Sequence, residues 1–94
     1  MKNSLLYETS KLMKSSFDKR IEYISDILHG ADIGVEFDIL FASYNETQKS
    51  MINQFNSLKE DSTEAEFEEF FNASLLFEKQ LSKAENLFEV IIQD

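Results

Sequence analysis

Apolar residues recur every three or four positions through most of the chain, and the pattern is cleanest between Thr63 and Ile92. There Phe67, Phe70, Ser74, Phe77, Leu81, Ala84, Phe88 and Ile91 form one stripe. That spacing lines one side of a helix of about eight turns. Phe71, Leu75, Leu76, Leu87 and Val90 widen the stripe beyond a narrow coiled-coil seam. A helix this apolar on one side is unstable alone in water, so the rest of the chain or another chain must cover it. Its start is marked by Thr63 and Glu66, the T-x-x-E of a capping box, and by Asp61 and Glu64 at the positive end of the helix dipole. The predicted helix spans about 63–92.

An earlier stripe contains Leu6, Met13, Phe17, Ile21, Ile24 and Leu28, broadened by Leu12, Tyr23 and Ile27. It predicts a first helix over about 4–28, with Asn3 or Ser4 as the cap and His29 and Gly30 at the end. The spacing of Asp18, Glu22 and Asp26 does not favour ion pairs on its polar face. Both glycines fall in Gly30-Ala31-Asp32-Ile33-Gly34, the clearest break in the chain. Beyond it, Ile33, Val35, Phe37, Ile39 and Phe41 alternate as in a strand. Phe37, Phe41, Tyr44, Gln48, Met51, Phe55 and Leu58 also fit a helix, with Leu40 and Ile52 alongside. Helix over about 35–59 is the favoured reading, while 33–41 stays open as helix, strand or hinge. Glu60-Asp61-Ser62-Thr63 forms the second turn.

These elements predict an all-α fold of three long antiparallel helices in one domain of 94 residues. It is either a small bundle or a helical hairpin with a third helix along it. No Pro and only two Gly leave little of the punctuation that an all-β fold needs. Hydrophobic residues make up 43% of the chain and include nine Phe, which is enough for a core and excludes global disorder. So narrow a bundle is expected to leave apolar surface for self-association.

Charge divides the chain further. Residues 1–31 carry five Lys/Arg against four Asp/Glu, 32–61 carry two against six, and 62–94 carry two against eight, for a net charge of -9. A surface this acidic repels nucleic acid and anionic membrane and attracts basic protein surfaces. The chain has no Cys, which excludes disulfides, thiolate metal sites and a Cys nucleophile. No apolar run reaches the length of a signal peptide or a membrane span, so the expectation is a location in the bacterial or host-cell cytoplasm.

Signals for specific chemistry are weak. Glu60, Asp61, Glu64, Glu66, Glu68 and Glu69 cluster within ten residues, as a docking surface would require. Helix capping and a solvated face account for much of the same clustering. Glu22, Asp26 and His29 share a face, but a bundle metal site needs matching ligands from facing helices. Glu46, Glu78 and Glu85 supply no second His. No nucleophile elbow or phosphate loop occurs, so neither an enzyme nor a cofactor is expected. Lys11, Lys14, Lys19 and Arg20, with Tyr7 and Tyr23, offer a candidate small-anion or nucleotide site, which would form between copies of an oligomer.

In size and helix–turn–helix layout the chain resembles small type III secretion subunits and co-chaperones, and small phage proteins that block host factors. The Pro-containing turn of needle subunits is replaced here by Glu60-Asp61-Ser62-Thr63, and no motif carries over. The leading expectation is a non-enzymatic interaction module (adaptor, co-chaperone, inhibitor or assembly subunit). Phe67, Phe70, Phe71, Phe77, Phe88 and Ile91 would serve packing or an interface, and Glu64, Glu68 and Glu69 would contact a protein partner, preferably a basic one. The alternatives are an acidic DNA mimic and an oligomeric anion binder.

Overall fold

The computed structural model describes residues 3–30 and 35–93, with side chains described for 3–26, 41–87 and Glu89. Three helices form: α1 at Ser4–Gly30, α2 at Val35–Asn56 and α3 at Glu64–Gln93. No strand occurs among the described residues. The alternation beginning at Ile33 gives way to helix from Val35 onward. A lone strand would have no partner for its backbone groups, whereas a helix satisfies its own. Ile33 and Gly34 themselves lie outside the described residues.

The three helices pack into a rod of 52 × 20 × 17 Å. α2 and α3 share the most extensive contact, α1 lies mainly against α3, and α1 meets α2 only slightly. Residue order gives the directions. Tyr44 of α2 packs on Phe77 of α3 at 5.3 Å and Phe55 on Phe70 at 5.7 Å, so these helices are antiparallel. Asn3 meets Ser62, Phe17 packs on Phe77 at 5.2 Å and Arg20 meets Glu78 and Glu85, so α1 and α3 run parallel. The topology is therefore up-down-up.

The turn between α2 and α3 is held by short backbone bonds. α2 stops at Asn56 rather than near Lys59, because the chain tightens where Leu58 N–H donates to the Phe55 carbonyl at 3.0 Å and Leu58 turns into the core. Ser62 Oγ accepts from Lys59 N–H at 2.8 Å. The capping box forms: Glu66 N–H donates to Thr63 Oγ1 at 3.3 Å, and Thr63 N–H donates to Glu66 Oε1 at 3.2 Å. Asn3 ties α1 to this turn: its backbone N–H donates to the Glu60 carbonyl at 2.7 Å and its Nδ2 to the Ser62 carbonyl at 2.8 Å.

The core contains Phe17 and Ile24 of α1, Tyr44 and Met51 of α2, Leu58 of the turn, and Phe67, Phe70, Phe77 and Leu81 of α3. Burying one such large side chain contributes about 2–3 kcal/mol. The stripe from Phe67 to Ala84 is thus covered by the chain's own helices. Phe88 and Ile91 lie outside the described side chains.

Candidate interaction groove

The helix faces are wider than their neighbours cover. Phe71 is only half-buried, while Leu75 (62%) and Leu76, which widen the stripe of α3, are exposed. Leu87 is also exposed. On α1, Leu12 (72%) and Tyr23 are exposed in the same way, as is Leu5 (81%). The physical reason is angular. Each helix of a three-helix bundle meets two neighbours, and a face broadened on both flanks extends past both contacts.

Between α1 and α3 this excess surrounds an open groove. Met13, Phe17, Phe71, Ser74, Leu75 and Glu78 line a volume of about 330 Å³. A second hollow of about 320 Å³ is lined by Leu6, Glu64, Phe67, Glu68 and Phe71. Both lie between α1 and α3 and share Phe71 in their lining, and together they make up the trough. Its α3 wall is the row Glu64, Glu68, Phe71, Leu75 and Glu78, spaced alternately by four and three residues. Leu5 and Leu12 each precede a lining residue of α1, Leu6 and Met13, and flank the trough. The floor is recessed at Ser74, whose side chain is far smaller than its Phe neighbours and is itself buried.

Of the expected partner-contact residues, Glu64 and Glu68 line the trough, whereas Glu69 lies about 100° around the helix from Glu68 and shares a flank with Leu76. All six carboxylates from Glu60 to Glu69 are exposed, and Glu66 serves the capping box. Phe67, Phe70 and Phe77 are wholly buried and support the groove from beneath.

At the far end of the groove stands an ion cluster that the sequence pattern missed. Arg20 of α1 reaches between Glu78 and Glu85 of α3: Nε donates to Glu85 Oε2 at 3.2 Å and Nη2 to Glu78 Oε1 at 3.2 Å. Further bonds link Nη1 to Glu78 and Nη2 to Glu85. Glu78 also accepts from Ser82 Oγ at 3.1 Å. The guanidinium stays charged well above its usual range because both carboxylates bond to it, that of Glu85 first. The same bond from Arg20 holds the Glu78 carboxyl below its usual value. Behind the cluster, burial and then the Glu85 charge push the Tyr44 phenol up to about 12, and its hydroxyl has no hydrogen-bond partner among the described residues.

Two further cations of α1 are also occupied, so its polar face does hold ion pairs. Lys14 bonds to Asp18 at 2.8 Å and lies over the Phe55 ring, and Lys11 pairs with Glu8 at 3.0 Å. These pairings count against an anion site on α1. Glu78 and Glu85, once candidate metal ligands, are engaged by Arg20, and no metal-holding cluster occurs among the described residues. The His29 side chain lies outside them. No described helix is long and apolar enough to cross a membrane. Comparison with known proteins finds no matching family model, no similar curated protein and no similar solved structure.

Proposed function

We propose that this protein is a non-enzymatic interaction module that receives an amphipathic helix of a protein partner in the groove between α1 and α3. The observation that carries this reading is the trough itself: an apolar, solvent-open channel with Phe71 at its centre and Glu64 and Glu68 on its rim. Helix-in-groove recognition uses such a surface, with apolar anchors supplying affinity and rim charges supplying orientation. The anchors are then Met13, Phe71 and Leu75, and the buried Phe residues serve as scaffold. Exposed Lys79 and Lys83 interrupt the acidic surface of α3, which disfavours a phosphate-like row of carboxylates.

The test is a titration of isotope-labelled protein with a designed amphipathic helical peptide, followed by amide chemical shifts. Shifts should concentrate around Met13, Phe17, Phe71, Ser74 and Leu75, and Leu75→Glu should remove them. Shifts confined to the outer face of α2, or none at all, would contradict the reading.

A further inference from the structure

Resting on that reading, we infer that the partner helix anchors itself with a tyrosine, whose ring fills the hollow over Ser74 and whose hydroxyl hydrogen-bonds to Ser74 Oγ. The inference starts from an unpaired hydroxyl. Helical Ser and Thr residues of this chain bond back to the carbonyl four residues earlier: Thr9 to Leu5 at 2.8 Å, Ser10 to Leu6 at 2.9 Å and Thr47 to Ser43 at 2.9 Å. Ser74 is only 1% exposed, yet its Oγ has no hydrogen-bond partner among the described residues. The other buried serines, Ser10 and Ser62, are both bonded, and neither lines either hollow of the groove. The unpaired hydroxyl of Tyr44 also lies outside both hollows. The buried serine left unpaired is thus the one on the groove floor. Leaving a buried hydroxyl unpaired costs stability, which an Ala at the same position would avoid.

The lining decides what would pair with it. Met13, Phe17, Phe71 and Leu75 supply apolar walls around about 330 Å³. Glu78, the other polar residue of the lining, has both carboxylate oxygens engaged by Arg20, and Oε1 also accepts from Ser82. Ser74 Oγ is therefore the free hydrogen-bonding side-chain group of the hollow. An aliphatic anchor would fill the volume and seal that hydroxyl from water. A tyrosine brings a ring that packs against Phe17 and Phe71 and a polar tip that needs a partner once buried. Its hydroxyl both donates and accepts, so it pairs with serine whichever way the serine proton lies, whereas a tryptophan N–H only donates. Ser74 Oγ lies beneath the lining, and the ring reaches it by turning Met13 aside, a shift that an unbranched thioether chain takes up readily.

The test is calorimetric titration with helical peptides that are identical except at the anchor, which is Tyr, Phe or Leu, against the wild-type protein and Ser74→Ala. The Tyr peptide should bind the wild type about fivefold more tightly than the Phe peptide, and it should shift the Ser74 Cβ resonance more. Ser74→Ala should reverse that order, because the phenol would then be buried unpaired, and should leave the Phe peptide as tight or tighter. Its Tm should stay the same or rise. A Phe or Leu peptide that binds the wild type as tightly as the Tyr peptide, or a Tyr preference that survives Ser74→Ala, would overturn the inference and leave the groove reading intact. A marked fall in the Tm of Ser74→Ala would mean that the hydroxyl is bonded within the fold, as by rotation onto the Phe70 carbonyl, and would overturn it too. Binding of no peptide would overturn both readings.

Discussion

The two seams of α3 are built differently. Toward α2, Phe70, Phe77 and Leu81 meet Tyr44, Met51 and Phe55 in a packed, largely aromatic contact. Toward α1, the contact opens into a trough at Phe71 and is held at its ends by polar groups: Asn3 on the turn, and Arg20 between Glu78 and Glu85. A close-packed seam has no room for a partner. A seam clamped at its ends and left open in the middle keeps its apolar groups available. On one helix, therefore, the same residue type is sealed in the core on one side and left accessible on the other.

The largest break in the comparison comes from two adjacent residues. Phe70→Ala empties a site in the sealed seam and should cost about 3–5 kcal/mol, whereas Phe71→Ala removes a partly buried ring at the edge of the core and should cost about 1–2 kcal/mol. Chemical denaturation of both variants measures the difference. Arg20→Ala should cost about 1–2 kcal/mol, after discounting for solvent access to Glu78. Hydrogen exchange should show α1 opening first while α2 and α3 keep their protection.

A smaller effect follows from Glu78. Its carboxyl is held below its usual 4.5 by Arg20, so the folded chain binds fewer protons than the unfolded chain in that range. Stability is therefore full above about pH 4.5 and falls as pH drops through the folded value. Glu78→Gln should flatten that acid limb in Tm measured from pH 3 to 6. Tyr44→Phe removes an unpartnered buried hydroxyl and should leave stability unchanged or raise it by up to about 1 kcal/mol. It should also remove a loss of stability between pH 10 and 12, where the unfolded phenol ionises and the buried one does not. Smallest of all, Leu75→Glu should change stability by less than about 0.5 kcal/mol, because the side chain is exposed, yet abolish peptide binding.

Much of this fold is legible in the chain. The stripe from Phe67 to Ala84 is the buried face of α3, and Thr63 with Glu66 forms the capping box that the spacing predicts. The competition between strand and helix after Ile33 was not decidable from local pattern, since both periods fit the same apolar residues. The groove was hidden for another reason. Periodicity shows how wide an apolar face is but not how much of it the neighbours cover, so Leu75, Leu76 and Leu87 read only as a widening of the stripe. The Arg20 cluster joins residues 58 and 65 positions apart, and no spacing rule within one helix reports such a pair.

The most direct test of the open seam is solvent paramagnetic relaxation on leucine methyl groups, with a neutral gadolinium chelate and dilute protein. The account predicts strong relaxation at Leu5, Leu12 and Leu75 and almost none at Leu58 and Leu81. Protection of Leu12 and Leu75 equal to that of Leu81 would mean that the α1–α3 seam is closed, and would contradict a groove held open for a partner.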